Sequence, residues 1–316
     1  MPLTPVLIIG FNRPRTLANL LDKIENLEPR EVWISIDGPR SPEDYSKVSE
    51  TIRIVNGWSS QTRHSTKIVA QVSNLGIYTH ALDAMSEFFK TNEIGLILED
   101  DIEFHPNFIK FVDQNQMALT SGKYWSICGH NPISDLASLT QEERIKFYPT
   151  HIHTIWGWAA SKKSVLQFIN LAQNSTSINF ESAISKAAKK ITSDPFLRLG
   201  IRRVWERKMT RALKSDSGGG WDNYWLISAW ASGLPSLMPN YSLSRENPLQ
   251  IEGQTHDHES RGKSWESSLG LVNIIPKIAS EITNDDVQKL RVWGITRIYC
   301  WLFFPRLLLR KMNAYH

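Results

Sequence analysis

Cysteine is nearly missing from this chain. Its 316 residues include two, Cys128 and Cys300, far apart and each in apolar surroundings. That argues against a disulfide framework and fits a reducing compartment. A membrane span is missing too. In the apolar C-terminal stretch only eight residues, Pro305 among them, separate Arg297 from Arg306, far short of the roughly 20 that a spanning helix needs. No G-x-G-x-x-G follows the first apolar run, which disfavours a dinucleotide fold of the hydride-transfer kind. No charged n-region or cleavage site precedes the run at Pro5. The expectation is a chain with no signal peptide or N-terminal anchor, unlike a stalked secretory-pathway enzyme.

What is present is ordinary in bulk and uneven in detail. Hydrophobic content of 41% and charged content of 22% suit a soluble globular chain of one large or two small domains. The 12 Trp are many for this length; they suit the gripping of sugars or interfaces, or else a large aromatic core. Net charge is +4, yet residues 287–316 carry six Lys or Arg and no acid, leaving the remainder at −2. Residues 182–215 hold ten basic and two acidic side chains, a segment that reads as helical. Two basic segments on an acidic body point to an anionic partner. In the C-terminal one, Trp293, Ile295, Ile298, Trp301 and Phe303 alternate with Lys289, Arg291, Arg297, Arg306 and Arg310. That pattern favours a basic amphipathic helix lying on an anionic membrane surface over a helix packed on the domain. No nucleic-acid-binding motif accompanies these charges, so nucleic acid is not expected as a partner.

The chain is organised around residues 94–108, IGLILEDDIEFHPNF. An apolar run, Ile94 to Leu98, reads as a strand buried on both faces. Glu99, Asp100 and Asp101 follow at once. Open α/β sheets bind ligands beyond the carboxyl ends of their strands. Carboxylates gathered there repel one another unless a cation neutralises them, and hard divalent ions prefer oxygen ligands. The alternative is an acidic turn that only solvates a strand end.

Around this stretch the elements alternate. Strands are expected at 6–10, 32–36, 67–71 and 94–98, with helices at 15–27, 42–64 and 77–89 between them. The order argues for a doubly wound, mostly parallel sheet. Further on come a helix at 106–117, a strand at 124–128, a polar surface excursion at 131–147, a helix at 161–172 and a strand entry at 235–239. Pro14 suits the first turn of the first helix, placing Arg13 and free N–H groups where an anion could bind. Asp37 ends the second strand as a turn former or a ligand contact. Trp156 and Trp158 flank Gly157, as a ring wall or as core. His151 and His153 alternate as on a strand, a metal pair or simply satisfied histidines. Ser217 to Gly220 reads as a hinge. Asp222 behind it is either an N-cap or a general base.

Read together, NLGIYTHALDAMSEFFKTNEIGLILEDDIEFHPNF (74–108), PVLIIGFNRPRTL (5–17), IWGWA (155–159), WDNYW (221–225) and, more weakly, GQTHD (253–257) resemble the bacterial nucleotide-diphospho-sugar transferases labelled hemolytic-protein-like. They are also similar to the N-acetylglucosaminyltransferase I family. The resemblance implies the GT-A fold, a Rossmann-like sheet, over residues 1–260, with a nucleotide-binding half at 1–130 and an acceptor half at 131–260. Residues 261–316 would be a basic, helical, membrane-associating extension. It implies an inverting transfer from a nucleotide-diphospho-sugar donor, most often a UDP-sugar, with Mn2+ or Mg2+ as cofactor. Carried over, Phe11, Asn12 and Arg13 line the nucleotide pocket, and Asp37 meets the uracil or ribose with Asn74 and Gly76 nearby. Glu99, Asp100 and Asp101 form the acidic motif, Asp101 holding the metal. Asp222 is the base and His256 a further metal ligand, while Trp156 and Trp158 face a saccharide or lipid-linked acceptor. With the basic segments, this places the chain peripherally on the cytoplasmic face of a bacterial inner membrane. The alternatives are a sugar nucleotidyltransferase, which usually carries a Gly-rich phosphate loop where this chain has GFNRPR, and a non-catalytic carbohydrate- or membrane-binding module.

Overall fold

The computed structural model describes residues 2–131, 146–151, 153–174, 177–191 and 220–246, with isolated positions between 195 and 206 and the pair Lys277–Ile278. The C-terminal stretch 287–316, the hinge residues 217–219, His256 and most of the polar stretch 131–147 lie outside the described residues. So does most of the basic segment beyond 191.

Four strands form the parallel half: β1 (Val6–Gly10), β2 (Glu31–Ile36), β3 (Ser65–Ala70) and β4 (Ile94–Glu99). They lie in the order β4-β1-β2-β3. Three helices connect them: α1 (Pro14–Glu25), α2 (Pro42–Ser59) and α3 (Gly76–Thr91). Every residue of β1 is buried, because alternate side chains serve opposite faces of the sheet. Val6 and Ile8 join Leu17, Leu20, Leu21 and Ile24 of α1 in one core. Leu7 and Ile9 join Met85, Phe88 and Phe89 of α3 in the other. The result is a sheet flanked by helices on both faces, compatible with a Rossmann-like fold.

The second half departs from the regular alternation. After β4 come the short β5 (Ile102–Phe104), α4 (Pro106–Gln114), α5 (Gln116–Thr120), β6 (Ser126–Cys128), β7 (Lys146–Thr150) and β8 (Trp158–Ser161). Then follow α6 (Lys162–Gln173), α7 (Ser177–Ile191), the helix here numbered α8 (Trp221–Ser232), β9 (Ser236–Pro239), β10 (Ser244–Glu246) and β11 (Lys277–Ile278). β8 runs antiparallel to both β4 and β6, so the sheet is mixed, in the order β11-β7-β9-β6-β8-β4-β1-β2-β3. β7 was not expected from sequence. It lies at the end of the stretch read as a polar excursion, and Pro149 reads as a breaker. β7 instead pairs antiparallel with β9, Pro149 opposite Leu237. Among the described residues no helix is long and apolar enough to cross a membrane.

Much of the tryptophan content goes into one cluster under α8. Trp158 lies 4.2 Å from Trp225, Trp125 5.0 Å from Trp225, and Phe168 5.5 Å from Trp225, centroid to centroid.

Gly95 is the interruption in the β4 run, and the packing of α3 accounts for it. A Cβ added there would lie 2.2 Å from Phe88 Cε1 and 3.1 Å from Phe89 Cζ. Gly95→Ala is therefore expected to destabilise the fold by about 1–3 kcal/mol, the usual cost of overpacking a filled core. Urea unfolding of the variant against wild type measures it; an unchanged midpoint would refute the assignment.

Candidate functional site

The backbone ladder continues past the strand ends and gathers the candidate residues at one edge. Asp100 N–H donates to Ile9 O, Asp37 N–H to Gly10 O and Gln71 N–H to Ile36 O, each at 2.9 Å. β4, β1, β2 and β3 thus finish together. The turns that leave them, 100–101, 11–13, 37–41 and 71–75, share the carboxyl edge of the sheet.

At the end of β4 one guanidinium holds two carboxylates. Arg13 Nη1 donates to Asp100 Oδ1 at 3.0 Å and to Asp101 Oδ2 at 2.7 Å. Asp100 Oδ2 accepts the Phe11 N–H at 2.8 Å, so the turn after β1 is fastened to the turn after β4. Asp100 and Asp101 are buried. Glu99, between them and the strand, accepts no hydrogen bond from the described residues. Burial pushes Glu99 well above the usual carboxylate range, and the charges of Asp101 and Asp100 push it further, Arg13 opposing them. Burial also raises Asp100, to about 6, against the pull of Arg13. Burial works against the charge on Arg13, yet Asp100 and Asp101 outweigh it and hold that side chain above its ordinary value.

Asp222 belongs to the other half of the fold. It is exposed in the first turn of α8, and its charge is felt by Glu99. The N-cap position belongs to Gly220, so Asp222 is not the cap. A carboxylate in the first turn is favoured by the helix dipole and needs no capping role to sit there.

Asp37 is engaged by its own chain. Its Oδ1 accepts the N–H groups of Gly38 (2.9 Å) and Leu75 (2.8 Å). Its Oδ2 accepts Asn74 Nδ2 (2.9 Å) and the Gly76 N–H (3.1 Å). The carboxylate therefore satisfies the start of α3 and locks the Asn74–Gly76 turn to the end of β2. Behind it the buried His80 meets Ser35 Oγ through Nε2 at 2.8 Å. Burial lowers the pKa of His80 while Asp37 and Asp83 oppose the shift.

The two tryptophans divide. Trp158 is 1% exposed and belongs to the aromatic core, which corrects its assignment to an acceptor wall. Gly157, at φ +73°, turns the chain between them, a conformation that a residue with a Cβ adopts only under strain. Trp156 stays half-buried, its ring centroid 4.5 Å from that of His130. His151 and His153 are not a strand pair. They lie between β7 and β8 with rings 6.4 Å apart, and His153 Nδ1 is taken by Ser236 Oγ at 2.7 Å. Burial drives His153 down to about 3. His256 lies outside the described residues. The strand leading toward it is β10, whose last residue, Glu246, pairs with Ile102, the neighbour of Asp101.

Sequence reading missed Arg40 and Asp44. Buried Asp44 ties Asn12 (Nδ2 to Oδ1, 2.6 Å) to Arg40 (Nε to Oδ2, 2.9 Å). The i,i+4 spacing of Arg40 and Asp44 at the start of α2 was the available signal.

Asp101 Oδ1 has no partner among the described residues, which leaves one carboxylate oxygen of the acidic end for a hard divalent cation. Among the described residues no three His, Cys, Asp or Glu side chains form a ligand set. Small hard ions are commonly held by one or two carboxylates with substrate phosphates and water supplying the rest. A scan against protein-family models finds none that matches the chain, and a search of curated proteins finds no match either.

Two expectations follow. Glu99→Gln removes a carboxyl group whose folded pKa is raised, so the folded wild type binds the extra proton. Wild-type stability then declines as pH rises from the ordinary carboxylate range toward the folded value of Glu99. The variant gains on wild type over that window, and the two converge below it. Denaturant midpoints across pH read this directly; parallel curves would sink it. Asp37→Ala leaves up to three N–H groups and Asn74 without their acceptor and should cost about 3 kcal/mol, seen as a lowered melting temperature.

Proposed function

We propose that the chain is a metal-dependent, inverting glycosyltransferase of the GT-A kind. It moves a sugar from a nucleotide-diphospho-sugar, a UDP-sugar first among them, to a hydroxyl of a lipid-linked or surface-polysaccharide acceptor. One observation carries the reading. The buried Asp100 and Asp101 stand at the end of β4 with Arg13 bonded across them, and a separate, exposed carboxylate, Asp222, stands in the first turn of α8. An acidic end for the donor's metal and a separate carboxylate for the acceptor are the two parts that a displacement at a sugar carbon requires.

Asp101, with Glu99 beside it, would hold the ion, and His256 is the further ligand that the resemblance implies. Bound there, a divalent ion supplies Lewis-acid neutralisation of the leaving diphosphate. The chain's own residues do the rest. Phe11, Asn12, Asn74 and Gly76 border the nucleotide's place, and Asp37 keeps that border rigid. Asp222 accepts the proton of the attacking hydroxyl, and a single base with in-line attack inverts the anomeric centre. Trp156 borders the acceptor side. The basic segments 182–215 and 287–316 suit an anionic membrane surface and a diphospholipid or polyanionic acceptor. That puts the enzyme peripherally on the cytoplasmic face of the membrane.

The test is release of nucleoside diphosphate from UDP-, GDP- and dTDP-sugars, and of CMP from CMP-sugars, with and without Mn2+. Turnover of one donor that disappears in Asp101→Ala and falls about 10²–10⁴-fold in Asp222→Asn is expected. Silence across the panel, with no Mn2+-dependent nucleotide binding by calorimetry, would reject the reading in favour of a binding module.

A further inference from the structure

Arg40 is a long, charged side chain on the surface, its side chain 62% exposed, yet it is tightly held. Its Nε and Nη2 reach the two carboxylate oxygens of Asp44 at 2.9 and 3.3 Å, and its backbone N–H donates to the same group at 3.3 Å. Its guanidinium carbon lies 4.7 Å from the centroid of the Phe11 ring. Asp44, through Asn12, fastens the turn after β1 to this start of α2. Exposed ion pairs contribute only about 0–1 kcal/mol to stability, while ordering an arginine costs about 2 kcal/mol in rotamer freedom. Stability alone is a poor reason for the arrangement. A prepositioned guanidinium beside an aromatic ring is a reason of another kind, because a planar group held there and 62% exposed is free to meet a ligand.

Its place in the sheet decides what that surface faces. The carboxylates lie at the end of β4, Phe11 lies on the turn after the adjacent β1, and Arg40 lies on the turn after β2, on the far side of β1. A nucleotide with its diphosphate toward the β4 end extends its base along that edge, toward β2. We infer that Arg40, held by Asp44 and seated over Phe11, is the platform on which the donor's nucleobase stacks, and so a positioning residue for the base rather than for the phosphates. This rests on the nucleotide-sugar reading above. Guanidinium groups stack on planar π systems, and loss of one stacking partner costs about tenfold in affinity.

The probes are UDP, GDP and inorganic pyrophosphate, each titrated with Mn2+ into the full chain by calorimetry. In Arg40→Gln the affinity for the nucleotide that wild type binds best should fall about tenfold, with pyrophosphate unchanged. Arg40→Lys, which keeps the charge and loses the plane, should behave like Arg40→Gln. Asp101→Ala should lose pyrophosphate and nucleotide together. The exposed site leaves the melting temperature of both Arg40 variants near that of wild type. Equal losses for pyrophosphate and nucleotide, full rescue by Lys, or no change at all would overturn the inference while the function reading stands. If wild type binds neither nucleotide, this inference falls, and the function reading is decided by the full donor panel above.

Discussion

Everything at the candidate site depends on how the chain tolerates Glu99, Asp100 and Asp101 at the end of a strand that is otherwise buried. Charges of one sign in a low-dielectric setting are costly unless paired. Here the pairing comes from a different turn. Arg13 spans Asp100 and Asp101, and the Phe11 N–H takes the remaining oxygen of Asp100. The turn after β1 and the turn after β4 thereby define each other. Three hydrogen bonds thus hold the two turns together at this edge. The compensation is incomplete. Glu99 stays uncharged more readily than an ordinary glutamate because it is buried beside Asp101 and Asp100, and Arg13 offsets only part of that.

Legibility from sequence tracked how local the determining physics was. β1 was readable to the residue, because VLIIG is an unbroken apolar run whose both faces are buried. α1 and α3 were readable from apolar spacing, with ends displaced by a few residues where caps rather than periodicity set the limit. The acidic end of β4 could be placed at the carboxyl edge of the sheet from its position in the sequence alone. β7 was not readable, because Lys146–Thr150 owes its strand state to antiparallel pairing with β9, some 90 residues away, and its proline argued the other way. The two tryptophans of IWGWA illustrate the same limit. Only the positive φ at Gly157 and the packing of α8 decide that Trp158 enters the core while Trp156 stays at the surface. Asp37 was read as a ligand contact or a turn former. Three of its four accepted hydrogen bonds depend on a turn some 37 residues further along the chain, which no local pattern encodes.

The two halves of the sheet carry different duties. The parallel half is regular, its helices packed on alternating faces, and it supplies fixed turns at one edge. The mixed half supplies what approaches that edge. α8 brings Asp222, and β10 pairs with β5 beside Asp101 and is fastened there by Arg245 to Glu103 at 3.0 Å. Under the glycosyltransferase reading, rigid turns suit the holding of a donor, and elements from the mixed half suit the presentation of an acceptor. The aromatic cluster of Trp125, Trp158 and Trp225 joins the halves, since Trp158 lies on β8, the antiparallel neighbour of β4. The position of Asp222 relative to Glu99 is therefore set by core packing rather than by loop conformation.

That charge arrangement also constrains the order of binding under the glycosyltransferase reading. A diphosphate approaching alone meets Glu99, Asp100, Asp101 and Asp222, and the one guanidinium among them is already shared between two aspartates. Like charge then opposes it across a few ångströms in a poorly screened cleft. A divalent cation approaching alone meets the opposite situation, though Arg13 competes with it for Asp101. When both are present, the cation satisfies the carboxylates, and Arg13, relieved of part of its engagement, has N–H donors to offer the diphosphate. Each ligand thus removes the main electrostatic obstacle to the other, and linkage makes that assistance mutual. Under the same reading Arg40, on the turn after β2, stands outside this exchange, whereas Phe11 belongs to the same turn as Arg13 and its N–H is bonded to Asp100. The base platform and the acidic end are therefore coupled through the turn after β1, and a change in that turn is felt at both.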